Sequence, residues 1–231
     1  KAFSVPPLVG LVYDYRRQSH LGWSPCSVLG VALLLHSLGD VIIHQLGVIP
    51  SMPAFLAGHF AYCVAFSKGA DLSLSNFVHF TTLKQAVMGI VVAYAFLMWT
   101  ILSPQFPLPL KPVLLSYIVA ISLMFQLSMF ARSKLILVGS AMYLISDSLI
   151  ALARFVFRDS VLVHELDLNL SWPVYFFGQC LITFGALNAF AQVELREPRS
   201  AARPGFYAKL AFFTVSFILT FVSVRRVLIE F

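Results

Sequence analysis

Charged residues are scarce in this chain of 231 residues: Lys, Arg, Asp and Glu together make up 11% of it, against about 25% in an average soluble domain. The hydrophobic fraction is 59%, and no stretch is long or polar enough to form a separate water-soluble domain. A soluble globular protein is therefore excluded. The formal net charge is +6, but the basic residues lie scattered at the ends of apolar runs. They form no basic patch, so we expect no nucleic-acid partner.

Several catalytic motifs are also missing. The sequence contains no GxSxG elbow, no HExxH and no glycine-rich phosphate loop, so serine nucleophiles, zincin-type proteolysis and nucleotide hydrolysis lose support. Cysteine is rare, and Cys26, Cys63 and Cys180 lie in apolar surroundings without a CxxC pairing. We interpret them as thiols of the core.

What the chain does contain is a series of apolar runs, most of them near the length of about 20 residues that a membrane-spanning helix needs. They predict an all-α fold, a polytopic transmembrane bundle of about seven to eight helices, with Pro50 and Pro53 marking one break. Residues 158–169 form the longest polar insertion. We expect residues 1–198 to form the main bundle and 199–231 to add a C-terminal transmembrane segment. The predicted spans lie near residues 3–14, 25–46, 52–67, 78–102, 111–131, 135–157, 172–191 and 207–224.

Two aspartates lie deep inside these runs, Asp40 within VLGVALLLHSLGDVII and Asp147 within LILVGSAMYLISDSLIALA. A carboxylate at the centre of a membrane helix costs about 2.5–3.5 kcal/mol of insertion free energy, and such residues are usually functional. Small or hydroxyl neighbours such as Gly39, Ser146 and Ser148 favour a packed polar pocket over a charge that faces lipid.

The first aspartate shares its helix face with two histidines. His36, Asp40 and His44 are spaced by four residues, which places them on one face of a helix. This stripe is suited to a metal ligand set or a proton relay. In the alternative interpretation, His36 only hydrogen-bonds Asp40 and His44 lies among lipid head groups.

A second polar group follows in the next apolar run, where His59 and Tyr62 are three residues apart and Gly58 allows close helix approach. A tight turn would bring His59 beside Asp40. His59 then either has a functional role or makes an ordinary interhelical hydrogen bond.

Further polar residues share faces in the later runs. Tyr143 and Asp147 are four residues apart, and Arg154 lies seven residues further on, either as an anchor at the helix end or as a cation for a lipid phosphate. Tyr175 and Gln179 also share a face. Tyr175 alone is typical of the interfacial aromatic belt, whereas Gln179 lies deeper.

Taken together, these residues resemble the lysoplasmalogenase or YhhN-like family over about residues 1–198. The matching motifs are GD at 39–40, GHxxYxxAF at 58–66, SDxxIA at 146–151 and YFxxQxLI at 175–182. The resemblance implies a polytopic enzyme that hydrolyses the vinyl ether bond of lysoplasmalogens to a fatty aldehyde and glycerophospho-ethanolamine or -choline. Its partners would be the lysophospholipid and the bilayer, with no cofactor and no metal. The endoplasmic reticulum is the expected membrane if the chain is eukaryotic.

Carried over to this sequence, the resemblance implies that Asp40 and Asp147 are the catalytic pair. Vinyl ether hydrolysis needs one protonated carboxyl group as general acid and one ionised carboxylate, as in glycoside hydrolysis. Sequence does not assign the two roles, although a protonated His36 would favour Asp40 as the ionised partner. The supporting or substrate-binding residues are His36, His59, Tyr62, Tyr143, Ser146, Arg154, Tyr175 and Gln179.

Two other functions stay open. A metal-dependent lipid hydrolase would bind zinc through His36, His59, Asp40 and Asp147. A proton-coupled transporter or channel would use the two aspartates as a relay, although the chain shows no inverted repeat.

Overall fold

The computed structural model of the protein describes residues 6–19, 23–69, 82–131 and 133–196, and these residues are almost entirely helical. Two short 3₁₀ turns, Ser103–Gln105 and Leu108–Leu110, connect α4 to α5. One π-helical turn, Leu152–Val156, extends α6, and a second, Asp167–Ser171, joins α7 to α8. The helices are α1 Pro6–Ser19, α2 Trp23–Leu46, α3 Val48–Gly69, α4 Thr82–Leu102, α5 Lys111–Ser128, α6 Lys134–Ala151, α7 Val161–Leu166 and α8 Trp172–Arg196.

Six segments within the described ranges are long and apolar enough to cross a membrane. The predicted all-α, polytopic bundle is confirmed, and the chain is an integral membrane protein. Helix α1, at 14 residues, is too short to span alone. The segment predicted at 207–224 lies outside the described residues. The spans are Pro25–Leu46, Val48–Ser67, Lys84–Gln105, Leu108–Ser128, Lys134–Val156 and Val161–Gln192.

The turn between α2 and α3 is not where the sequence predicted it. The break comes at Gly47, whose φ of 93° lies in the left-handed region that glycine adopts without a Cβ penalty. Helix α3 therefore begins at Val48 and contains both Pro50 and Pro53. Pro50 is tolerated because the first turn of a helix has no intrahelical partner for its N–H groups.

The polar insertion at 158–169 is not a simple connection between two spans, because part of it is helical. Residues Val161–Leu166 form α7, and the sixth apolar segment runs from Val161 to Gln192 rather than from 172. The acidic Asp167 is 6% exposed and pairs with Arg154. Because Arg154 compensates the charge of Asp167, the helical segment continues past this residue into the membrane-spanning part.

Glycines allow α6 and α8 to approach each other closely. A Cβ on Gly139 would lie 2.7 Å from the carbonyl oxygen of Gly178, and one on Gly185 would lie 2.8 Å from the backbone nitrogen of Ile136. Small residues allow such backbone contact between membrane helices, where packing drives association. This contact fixes α6, with Asp147, against α8, with Tyr175 and Gln179.

Candidate active site

A cavity of about 590 Å³ lies among α2, α3, α4, α5, α6 and α8, and both intramembrane aspartates line it. Most of its lining residues come from the C-terminal halves of α2, α4 and α6 and the N-terminal halves of α3, α5 and α8, and the two π-helical turns supply others. Consecutive spans run antiparallel, so these halves all lie toward the same membrane surface. One wall, from α4, the following turn and α5, is mostly apolar and contains Met98, Leu102, Phe106, Leu114 and Ile118.

Asp40 lies at the α8 side of this cavity and is 7% exposed. The hydroxyl group of Tyr175 donates a hydrogen bond to Asp40 Oδ2 at 3.0 Å. Gly39, the preceding residue, packs under Phe55, since a Cβ there would lie 2.8 Å from the Phe55 ring. The backbone of α2 is thereby held close to α3 at the level of the carboxylate.

Gln179 connects three buried tyrosines behind the cavity. Its side-chain amide donates to the hydroxyl oxygens of Tyr143 and of Tyr175, and its carbonyl oxygen accepts from Tyr62. All four side chains are 5% exposed or less. A fully satisfied buried network of this kind rigidifies its surroundings, and here it fixes the hydroxyl that contacts Asp40.

Asp147 has different partners. The hydroxyl group of Tyr117, on α5, donates to Asp147 Oδ2 at 2.5 Å. The Nε2 atom of His59 lies 3.6 Å from the same oxygen and 3.4 Å from the Tyr117 hydroxyl. The Asp147 side chain is 15% exposed, so this carboxyl group reaches the cavity while α3 and α5 hold it in place.

His36 is fully buried, and its hydrogen bond goes to its own helix. Its Nδ1–H donates to the carbonyl oxygen of Ala32 at 2.8 Å, and its buried Nε2 has no hydrogen-bond partner. The alternative interpretation, in which His36 hydrogen-bonds Asp40, is therefore wrong, because Nδ1 donates to the i−4 carbonyl and Nε2 makes no hydrogen bond. The ring packs 5.0 Å from the ring of His59 in space that Gly58 leaves open.

The predicted proximity of His59 to Asp40 is also wrong, because His59 faces different helices. Helix periodicity orders residues along one helix but does not determine which face of a neighbouring helix they meet. The rotation of α3 turns His59 toward α5 and α6, where it approaches Asp147. His44, the third member of the predicted stripe, is exposed and lines the cavity.

The proposed zinc ligand set does not converge. Within the described ranges, no three His, Cys, Asp or Glu side chains come together in a way that could hold a metal ion. His59 Nε2 approaches Asp147, and the Nε2 atom of His36 makes no hydrogen bond to either carboxylate. The donor geometry thus speaks against the metal-dependent alternative.

Arg154 lines the cavity, and Ser146 contacts a residue that does. Arg154 Nη2 lies 3.2 Å from Asp167 Oδ2, and both residues line the cavity. Ser146 is fully buried, and its hydroxyl group donates to the backbone oxygen of Ser171 at 2.8 Å. The structure therefore places Arg154 with Asp167 rather than with Tyr143, which faces Gln179.

Sequence reasoning missed Tyr117, Asp167 and Trp172. All three line the cavity. Tyr117 carries a signal that was available, a polar hydroxyl in the middle of an apolar run. Asp167 was missed because residues 158–169 were interpreted as a polar insertion between two spans.

The fold and the site together define a class: a polytopic helical membrane protein with two carboxyl groups facing one partly apolar intramembrane cavity. The sequence model of the YhhN family matches residues 1–186, and the chain belongs to this family, the lysoplasmalogenase family. Neither the curated proteins nor the solved structures include a match to the chain.

Proposed function

We propose that this protein hydrolyses the vinyl ether bond of lysoplasmalogens, releasing a fatty aldehyde and a glycerophospho-alcohol. One observation carries the proposal: Asp40 and Asp147, from different helices, line the same cavity, whose α4–α5 wall is mostly apolar. An amphipathic lysolipid needs such an apolar wall. The acid-catalysed cleavage of its vinyl ether needs a proton donor and a base.

The reaction begins when a carboxyl group transfers its proton to the alkene carbon that does not carry oxygen. The resulting oxocarbenium ion is stabilised by the second, ionised carboxylate. Water adds to the carbon that carries oxygen and gives its proton to this carboxylate. The hemiacetal then transfers its hydroxyl proton to the glycerol oxygen, the carbon–oxygen bond breaks, and aldehyde and alcohol leave. The proton that the second carboxylate took from water returns to the first carboxyl group, which restores both groups for the next turnover.

The surroundings of the two carboxyl groups favour Asp40 as the acid and Asp147 as the carboxylate. Asp147 accepts the Tyr117 hydrogen bond at 2.5 Å and lies 3.6 Å from an imidazole, and both partners stabilise negative charge. The hydrogen bond that Asp40 accepts from Tyr175 is longer, at 3.0 Å. Asp40 is the more buried of the two. This assignment reverses the one favoured by a His36–Asp40 pair. If the chain is eukaryotic, the endoplasmic reticulum is the membrane we propose for it.

The decisive measurement is aldehyde release from a lysoplasmalogen by purified protein in detergent. We expect Asp40→Asn and Asp147→Asn each to lower the rate at least about 100-fold, because general acid–base groups contribute that much. Asp159→Asn, at an exposed turn, is the matched control and should retain full rate. Full activity of both intramembrane variants would overturn the assignment.

A label distinguishes this chemistry from other lipid cleavage. In D₂O the aldehyde should carry one deuterium at carbon 2, because that carbon receives the proton in the first step. An unlabelled aldehyde, or loss of activity on chelation, would point away from the mechanism. Substrate-independent proton flux in liposomes, without aldehyde release, would support the transporter alternative.

A further inference from the structure

We infer that the surface end of the cavity is a phosphodiester-binding subsite, in which Arg154, Ser171 and Trp172 hold the phosphate of the lysolipid head group and Asp167 positions Arg154. The inference rests on the proposed function in that its ligand is a lysophospholipid. It assigns a role to four residues that lie apart from the two catalytic aspartates. Each of the four lines the same cavity as those aspartates.

Two hydrogen-bond donors at this end have no partner. The hydroxyl group of Ser171 and the indole N–H of Trp172 are buried, and neither makes a hydrogen bond. A buried polar group without a partner costs about 1–3 kcal/mol, so such groups are rare and need an explanation. Two adjacent ones in the wall of a cavity that an arginine also lines are what a bound oxyanion would satisfy.

Arg154 supplies the charge for this oxyanion. It contacts Asp167 through one terminal nitrogen at 3.2 Å, and its side chain is 46% exposed. A guanidinium has five N–H donors in a planar fork, so one edge can stay on Asp167 while the other binds phosphate. Asp167, whose side chain is 7% exposed, fixes the direction of that fork.

The backbone at this end is irregular. Arg154 lies in the π-helical turn Leu152–Val156, and Asp167 and Ser171 lie in the π-helical turn Asp167–Ser171. Such turns occur frequently at functional sites because they re-aim side chains. The hydrogen bond from Ser146 to the Ser171 carbonyl ties the second turn to α6 and so holds both turns together.

The spacing from the catalytic groups fits a lysophospholipid. Arg154 follows Asp147 by seven residues, a rise of about 10 Å along a helix, and helical side chains lean back toward the N-terminus. A glycerol backbone separates the vinyl ether oxygen from the phosphate in the substrate. Arg154 lies nearer than Asp147 to the end of its span, where a head group would lie.

The subsite is tested by binding rather than turnover. The probe is a saturated 1-alkyl ether lysophosphoethanolamine, which this reaction cannot cleave, and the reference is the corresponding 1-alkylglycerol, which lacks the phosphate. Dissociation constants are measured by calorimetry on the detergent-solubilised full chain. Arg158→Gln, an exposed arginine four residues from Arg154 and outside the cavity, is the matched control.

We expect Arg154→Gln to weaken the phospholipid probe about 10- to 100-fold, because it removes a charge-assisted bond. Arg154→Lys, which keeps the charge but loses the fork, should fall between it and the native chain. Trp172→Phe should weaken the probe about fivefold through loss of one donor. Alkylglycerol binding should stay within about twofold in every variant, since no phosphate contact is involved.

Other results would overturn the inference: native-like phospholipid binding by Arg154→Gln, equal weakening of both lipids, or a native chain that does not prefer the phospholipid. The fate of the proposed function is separate. If binding depends on Arg154 but no aldehyde is released, the phosphate subsite is supported and the proposed hydrolase activity is rejected. If aldehyde is released but binding does not depend on Arg154, the hydrolase activity is supported and the phosphate subsite is rejected.

Discussion

At the scale of single residues, the hydrogen bond from Tyr117 to Asp147 is a direct contact with one of the two carboxyl groups that we propose as catalytic. It is 2.5 Å long, and a donor to an ionised acceptor contributes about 1.5–3 kcal/mol. Tyr117→Phe removes only this hydroxyl group and leaves the ring. We expect the rate of aldehyde release to fall about 10- to 100-fold.

Tyr94 provides a comparison within the same cavity. Its hydroxyl group pairs with Ser148 at 2.6 Å rather than with a carboxylate. Tyr94→Phe should therefore change the rate by less than about fivefold, the effect expected for a neutral hydrogen bond. If the two variants lose equal activity, the Tyr117 contact has no special role at Asp147.

Which residues line the cavity was easier to predict than which side chains contact each other. Asp40 and Asp147 stand out because a carboxylate within an apolar run is energetically costly. The partners of each aspartate depend on the rotation of neighbouring helices, which no single-helix spacing records. His59 thus approaches Asp147, and Tyr117, on a third helix, was missed.

At the scale of secondary-structure elements, the contact between α6 and α8 positions Asp147, on α6, relative to Tyr175, the α8 residue that hydrogen-bonds Asp40. Gly139→Ala would place a Cβ 2.7 Å from the Gly178 carbonyl oxygen, and the helices must separate to relieve it. Overpacking of this kind costs about 1–3 kcal/mol. We expect a lower midpoint of thermal unfolding in detergent and weaker activity, because Asp147 moves with α6.

The control for this change is Gly89→Ala on α4. Nothing lies within 4 Å of a Cβ at Gly89, so alanine there should leave the unfolding midpoint unchanged or slightly raised, given its higher helix propensity. Equal midpoints for the Gly139 and Gly89 variants would show that the α6–α8 contact is not close.

Some helix boundaries were predictable from the local sequence, and others depend on contacts between helices or on the conformation of one residue. The spans were predictable because apolar runs of bilayer length are a local signal. The break at Gly47 and the helical form of 161–166 were not. The first depends on one residue adopting a positive φ, and the second depends on burial of Asp167 by Arg154, an interaction between elements.

At the scale of the whole molecule, the cavity joins a polar end and an apolar wall near one membrane surface, an arrangement that no single motif encodes. Arg154, Asp167, Ser171 and Trp172 form the polar end, and α4 and α5 supply the wall. In the proposed function, the lysolipid would bind with its head group at the polar end and its chain along α4 and α5. The length of this wall should then limit the chain that is accepted.

Leu114→Trp tests that expectation by filling part of the wall. Leu114 is 3% exposed and lines the cavity, so a larger ring there takes space from the hydrocarbon chain. Each buried CH₂ contributes about 0.8 kcal/mol, so kcat/KM should fall at least about tenfold for an 18-carbon chain while changing little for an 8-carbon chain. Leu97→Trp, on the exposed face of α4 and outside the cavity, should leave the chain-length profile unchanged. A parallel loss for both chain lengths in Leu114→Trp would place the hydrocarbon chain elsewhere, because only a chain lying against this wall is shortened by filling it.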